Sequence, residues 1–289
     1  MSKKAFLFPG QGSQYVGMAK DLFESSVEAR EMIKTADDAL GVNLSYIMFN
    51  GPEEQLKQTE FTQPAIFLHS VVLASLIRTL HPDAAAGHSL GEYSALVSAN
   101  AIQFYDAVKL VRIRGKAMQV AGEEKQGTMA AIIGLDAPVV EECCVEASSG
   151  GIVQCANFNS PGQVVISGSI EGVKKGMEIC KSKGAKLVKE LFVSGAFHSP
   201  LMESARSSLK EALDKTSIYD GRIPVYVNVT AKPVTEKEEI KKFLFEQVTT
   251  PVRWEETIKN MIADGIGEFY EIGPGKVLQG LAKRINQDV

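Results

Sequence analysis

Asp83-Ala84-Ala85-Ala86-Gly87-His88-Ser89-Leu90-Gly91 is an apolar run that ends in a G-x-S-x-G pattern. The run is short enough for a buried strand, and Leu90 to Ala101 reads as a helix. A strand feeding a helix through so few residues must turn sharply, and glycine on either side of the serine leaves room for that turn. The turn lifts the Ser89 hydroxyl off the sheet. It also sets Ser89 at a helix N-terminus, where unpaired backbone N–H groups can hold a developing oxyanion. The same pattern also fits an ordinary helix cap with no chemistry. Both readings stay open on this stretch alone.

Outward from the elbow, the preceding strand is Ala5-Phe6-Leu7-Phe8, followed by Pro9-Gly10-Gln11-Gly12-Ser13-Gln14 and a helical stretch to about Leu40. A phosphate-binding loop is excluded. Tyr15 stands where a dinucleotide fingerprint needs its third glycine, and no Gly-Lys-Ser/Thr follows. What remains is a tight turn whose backbone can approach another group closely. Residues 41–63 are polar and are expected to be irregular, with a break at Gly51-Pro52 and a helix starting at Thr62-Gln63-Pro64. That helix, through Ile77, is apolar on most sides and is expected to be central. His69 within it is expected to be a core histidine with its bonds satisfied.

Asp106 to Val120 carries an apolar stripe at Val108, Val111 and Met118, and Arg114 falls on it. An arginine on an apolar face is costly unless an anion meets it. Either an Asp or Glu of this chain pairs with it, or it is a fork for a substrate carboxylate. Arg112 and Lys116 point elsewhere and are expected in solvent.

From Gly127 the order is β-α-β-β-α-β: strands at 128–135, 152–156, 163–168 and 185–193, helices at 137–147 and 171–184, and a loop at 157–162. This is the ferredoxin-like order. It places an inserted subdomain at 127–194 within a larger α/β core made of 1–126 and 195–289. Lys174, Lys175, Lys181, Lys183, Lys186 and Lys189 make the insert basic, either as a solvated face or as a surface that steers an acidic partner. In Phe197-His198-Ser199-Pro200, the Ser-Pro pair opens a helix and leaves His198 in a loop. Among four histidines it is the best-placed base by elimination. The chain closes with strands at 223–229 and 267–272 and helices from 236, 251 and 276.

With 289 residues, 45% hydrophobic, and a formal charge of −4, a large core is available and a nucleic-acid partner is not indicated. Cys143, Cys144, Cys155 and Cys180 lack metal or redox spacing, so a reduced, cytosolic protein is expected. No apolar run is long enough to cross a bilayer.

Seven segments stand in order: Phe8-Pro9-Gly10-Gln11-Gly12-Ser13-Gln14, Gly87-His88-Ser89-Leu90-Gly91-Glu92, Arg112-Ile113-Arg114-Gly115, Asn157-Phe158-Asn159-Ser160-Pro161-Gly162-Gln163, Phe197-His198, Pro251-Val252-Arg253-Trp254 and Glu271-Ile272-Gly273-Pro274-Gly275. Through them the chain resembles, over its whole length, the malonyl-CoA:acyl carrier protein transacylases, and is similar to the acyltransferase domains of polyketide synthases. The resemblance implies an α/β-hydrolase-like core with a mostly parallel sheet and the ferredoxin-like insert. It implies Ser89 as nucleophile, His198 as its base, and the N–H groups of Leu90 and Gln11 as the oxyanion hole. No carboxylate completes a triad in that family; a backbone carbonyl near Gln247 orients the histidine. Arg114 becomes the ligand of the malonyl carboxylate, and Met118, Phe197, Gln247 and Asn159 become substrate-binding residues. Ala196-Phe197-His198 resembles the malonyl-selective pattern of the synthase domains, whereas the best-known bacterial stand-alone enzymes carry serine at the Phe position. Malonyl-CoA and acyl carrier protein are the implied partners, in fatty acid or polyketide synthesis. No cofactor, metal, nucleic acid or membrane is expected, and the chain is expected to be a monomer.

Overall fold

The computed structural model describes residues 2–289. Two sheets organise it. The first is five-stranded, in the order β8 (Pro233–Val234), β7 (Val225–Tyr226), β2 (Ala84–Gly87), β1 (Lys3–Phe8), β9 (Ile266–Glu271). Its pairings are parallel except that between β7 and β8. Its central strands are apolar on both faces: Ala5 to Phe8 and Ala84 to Ala86 are all buried, as expected of a parallel sheet covered by helices. The second sheet is antiparallel, in the order β4 (Val153–Ser160), β5 (Gln163–Ser169), β3 (Gly127–Ile133), β6 (Leu187–Leu191). Helices Ala137–Ala147 and Ile170–Ser182 cover it, with a core of their own around Ile132, Ile166 and Val173.

The elbow glycines are required for close approach rather than for their own backbone angles. A Cβ on Gly91 would lie 2.0 Å from the Phe8 carbonyl oxygen, and one on Gly87 would lie 1.9 Å from the Gly91 carbonyl carbon. The left-handed residue is Ser89 itself, at φ 52°. Gly10 explains the first loop in the same way: a Cβ there would lie 2.4 Å from the His88 carbonyl oxygen. That loop is pressed against the elbow.

Several elements differ from the sequence expectation. Residues 41–63 are ordered, with helices Leu44–Asn50 and Glu53–Leu56. Leu44, Ile47 and Met48 share one face and are buried, and the Asn43 side chain accepts from Tyr46 N to cap the turn. The central helix starts at Thr59, with Pro64 inside it. Proline lacks the N–H that would bond the Glu60 carbonyl. The Arg112 guanidinium donates to that carbonyl instead and pairs with the Glu60 carboxylate at 2.8 Å. Arg112 is therefore tied down over the Phe61 ring, not solvated as expected.

The stretch to Leu40 is two helices, Lys20–Ser25 and Val27–Leu40, split where Ser26 caps the second. The expected loop at 157–162 shrinks to Pro161-Gly162, because β4 continues through Ser160 across two register shifts. Its backbone also bonds the first core, Phe158 N to Val252 O at 2.9 Å and Val252 N to Ala156 O at 2.8 Å. The strand expected at 223–229 is only Val225–Tyr226, because Asn228 leaves the ladder to bond the elbow. His69 is buried, but its Nδ1 has no partner among the described residues, so it is not a satisfied core histidine. Burial pushes it down to about 4. The four cysteines are buried and unbridged. No helix among the described residues is long and apolar enough to cross a membrane.

Candidate active site

Strand β2 delivers Ser89 to the end of the parallel sheet, where such sheets bind ligands. The left-handed backbone there costs on the order of 1–3 kcal/mol, and the hydroxyl is aimed at His198. Ser89 Oγ lies 2.8 Å from His198 Nε2. His198 is also left-handed, at φ 56°, in the loop ahead of Ser199-Pro200, where the Ser199 hydroxyl accepts from Leu201 N. Its Nδ1 faces two carbonyl oxygens, Gln247 O at 2.9 Å and Thr250 O at 3.1 Å. A carbonyl can only accept, so Nδ1 carries the proton and Nε2 presents its lone pair to the serine. Gln154 Nε2 donates to the His198 carbonyl at 2.8 Å and fixes the loop from the second sheet. Burial first, and the Arg114 charge second, push His198 down to about 3. It is therefore a neutral imidazole, able to accept a proton.

Arg114 is 1% exposed, and no carboxylate lies within ion-pair distance of it among the described residues. The internal Asp or Glu partner left open by the sequence is thus absent. The guanidinium is held by neutral oxygens: Nη1 donates to Gln63 Oε1 at 2.6 Å, and Nη2 donates to Gln247 Oε1 at 2.9 Å and Ser89 Oγ at 3.1 Å. Its Nε has no partner among the described residues. A buried cation bound only to neutral groups, touching the candidate nucleophile, has the chemistry to accept an anion.

Gln11, Gln63, Leu90, Met118, Phe197 and His198 line a cavity of about 120 Å³ around Ser89. Among the described residues, neither Gln11 N nor Leu90 N donates to a protein acceptor, so both are free for an oxyanion. Asn159 is not brought to this cavity. Its Oδ1 is 2.9 Å from His88 Nε2, and it lines a neighbouring space of about 250 Å³ with Gly10, Gly12 and Leu278. The His88 ring thus bonds Asn159 rather than the Ser89 hydroxyl. No group of three or more His, Cys, Asp or Glu side chains that could hold a metal occurs among the described residues.

Sequence reading missed Gln63, Asn228, Glu92 and Thr250. Gln63 was visible only as part of a helix start. Asn228 lies in what reads as a strand, yet its Oδ1 accepts from Ser89 N at 2.7 Å, its Nδ2 donates to Gly87 O at 2.7 Å, and its N donates to Glu92 Oε2 at 2.7 Å. Burial pushes Glu92 up to about 7. Gln247 was expected for its carbonyl. Its side chain does more, binding Arg114 and donating from Nε2 to Ser89 O at 3.0 Å.

A serine and neutral histidine beside free N–H donors, at the end of a parallel sheet, define a class of acyl-transferring serine proteins. The chain belongs to the acyl transferase domain family, whose model matches residues 5–287. It is similar to the malonyl CoA-acyl carrier protein transacylases of Bacillus subtilis, at 48% identity over 99% of this chain and 92% of the relative, and of Haemophilus influenzae, at 46% over 100% and 94%. Among solved structures, the malonyl CoA-acyl carrier protein transacylase of Coxiella burnetii superposes with a TM-score of 0.96 at 42% identity, covering 99% of this chain and 92% of that one. A malonyl-transacylase solved in complex with a type II polyketide acyl carrier protein matches with a TM-score of 0.96 at 43% identity, over 99% and 94%.

Proposed function

We propose that this protein transfers the malonyl group of malonyl-CoA to the phosphopantetheine thiol of acyl carrier protein, supplying fatty acid synthesis. One observation carries the reading: buried Arg114, without a carboxylate of its own, stands 3.1 Å from the serine oxygen that His198 can deprotonate. Ser89 Oγ attacks the thioester carbonyl and its proton passes to His198 Nε2. The tetrahedral oxyanion faces the N–H groups of Gln11 and Leu90. The C–S bond breaks, the CoA sulfur takes the proton back from His198, and malonyl-Ser89 remains. The carrier thiol then gives its proton to His198 and attacks the ester, and Ser89 leaves with that proton. The two carbonyls on Nδ1 steady the imidazolium in each half, in place of a carboxylate. Met118 and Phe197 bound the acyl pocket.

The finer reading of the fold accompanies this function. The core, 1–126 and 195–289, is α/β-hydrolase-like, which the parallel sheet and the strained serine turn support. The subdomain 127–194 is ferredoxin-like, which its β-α-β-β-α-β order and separate core support. A reduced cytosolic setting is consistent with the free cysteines, and the chain is taken as a monomer.

Incubation with malonyl-CoA, followed by intact mass measurement, tests the reading. The expected result is a single malonyl adduct that discharges onto added acyl carrier protein. An adduct that decays to free malonate without carrier would point to a thioester hydrolase and defeat the proposal.

Carrier docking is assigned to the insert, where Lys174, Lys181, Lys183, Lys186 and Lys189 are exposed. Changing Lys181 and Lys183 together to Glu is expected to raise the KM for carrier about tenfold, equivalent to about 1.4 kcal/mol, and to leave that for malonyl-CoA unchanged. Steady-state kinetics with each substrate varied in turn would reveal an unaffected carrier KM, which removes this face from consideration.

A further inference from the structure

We infer that Asn228 is a positioning residue for the reaction at Ser89, acting as one arm of a two-amide clamp on the nucleophile's backbone. The inference rests on the acyl-transfer reading above. The two peptide units that flank Ser89 are each gripped by a side-chain amide. On the upstream side, Asn228 Oδ1 accepts from Ser89 N at 2.7 Å, while its Nδ2 donates to Gly87 O at 2.7 Å. On the downstream side, Gln247 Nε2 donates to Ser89 O at 3.0 Å. The two amides touch each other, Gln247 Nε2 to Asn228 Oδ1 at 3.5 Å.

The consequence follows from peptide geometry. A carbonyl and the N–H of the same trans peptide point in opposite directions. Holding Ser89 O against Gln247 therefore aims Leu90 N–H the other way, and Leu90 lines the cavity around Ser89 and His198. Holding Ser89 N against Asn228 keeps the serine at φ 52°, where its Oγ meets His198. Asn228 touches neither the hydroxyl nor the acyl cavity, so its contribution runs through the orientation of Ser89 and the Leu90 N–H. Glu92 holds the arm from behind, its Oε2 accepting from Asn228 N at 2.7 Å. All three groups are fully buried, which suits a rigid support rather than a mobile one.

Two variants test this. Asn228→Leu removes both side-chain bonds at similar size. Its kcat is expected to fall 30- to 100-fold, with the KM for malonyl-CoA within twofold of wild type, because Arg114 and Gln63 are untouched. Asn228→Asp keeps the acceptor for Ser89 N, but its ionised form cannot donate to Gly87 O. Once protonated it can do both. Its activity relative to wild type is therefore expected to rise as pH falls, with Glu92, Arg114 and His198 as the other titratable groups around it. Labelling of Ser89 by a fluorophosphonate probe needs no malonyl-CoA and is expected to slow in parallel in both variants.

A kcat for Asn228→Leu within threefold of wild type, or a pH-independent ratio for Asn228→Asp, overturns the inference. A wild-type protein that fails to transfer malonyl but labels with the probe defeats the functional reading instead, and the clamp is then judged on labelling rates alone.

Discussion

In Arg114→Ala, malonyl transfer is expected to fall by about 10³-fold in kcat/KM and the preference for malonyl over acetyl donors to collapse. Each charge-assisted hydrogen bond contributes roughly 1.5–3 kcal/mol. Loss of two to the donor carboxylate brings the expected loss to about 10²–10⁴-fold. Acetyl-CoA has no carboxylate, so its transfer is spared that loss. In the wild type it also leaves a buried guanidinium without an anion, which is the basis of its rejection. A second effect runs through His198, which the Arg114 charge helps to push down to about 3. The neutral imidazole is the active base, so activity is lost as pH falls through its pKa. Without Arg114 the pKa rises toward its ordinary value, and the acid limb of kcat/KM with acetyl-CoA moves to higher pH. Donor competition and a pH profile measure both. An unchanged malonyl-to-acetyl ratio would remove Arg114 as the carboxylate ligand.

Ser89→Ala is expected to abolish the acyl adduct and to lower turnover by at least about 10⁴-fold, while the protein stays folded. The folding part follows from the bonds. The turn at Ser89 is held by its own N and O, through Asn228 and Gln247, and by the Gly87–Gly91 contact. None of these uses the hydroxyl. The variant gives up only the Oγ contacts to His198 and Arg114, so its melting temperature is expected within a few degrees of wild type. Intact mass and calorimetry read the two parts separately. A malonyl adduct that survives in Ser89→Ala would place the nucleophile elsewhere and sink the mechanism.

How far the sequence carried depended on whether a residue's partner was local. The elbow was legible because strand, turn and helix are contiguous and the glycines are forced by steric contact. Arg114 was legible because it breaks an apolar stripe on its own helix, and His198 because Ser199-Pro200 marks where a helix begins. The fold order around 127–194 was legible from alternating element types, although Asn157-Phe158-Asn159-Ser160 reads as a loop by composition and is a bulged strand held by the first core. Leu44, Ile47 and Met48 are spaced for a helix, but the element is only seven residues long and closed in by Gly41 and Gly51-Pro52, which hid it. Arg112 was misread because its partner is a carbonyl freed by a proline 48 residues away. Asn228 and the side-chain bonding of Gln247 were opaque for the same reason: they reach backbone atoms of Ser89 from far along the chain, and backbone atoms leave no mark in a sequence.

The neutral partners of Arg114 have one more consequence. Because Gln63, Gln247 and Ser89 bring no charge to the guanidinium, the proposed mechanism makes the pocket a cation before the first half-reaction and an ion pair after it. The cationic form attracts an acyl-CoA, whose acyl carboxylate and phosphates are both negative. The acylated form no longer exerts that pull, and what it meets next is a neutral thiol. On the proposed mechanism, the charge of the pocket is thus switched by the cargo itself.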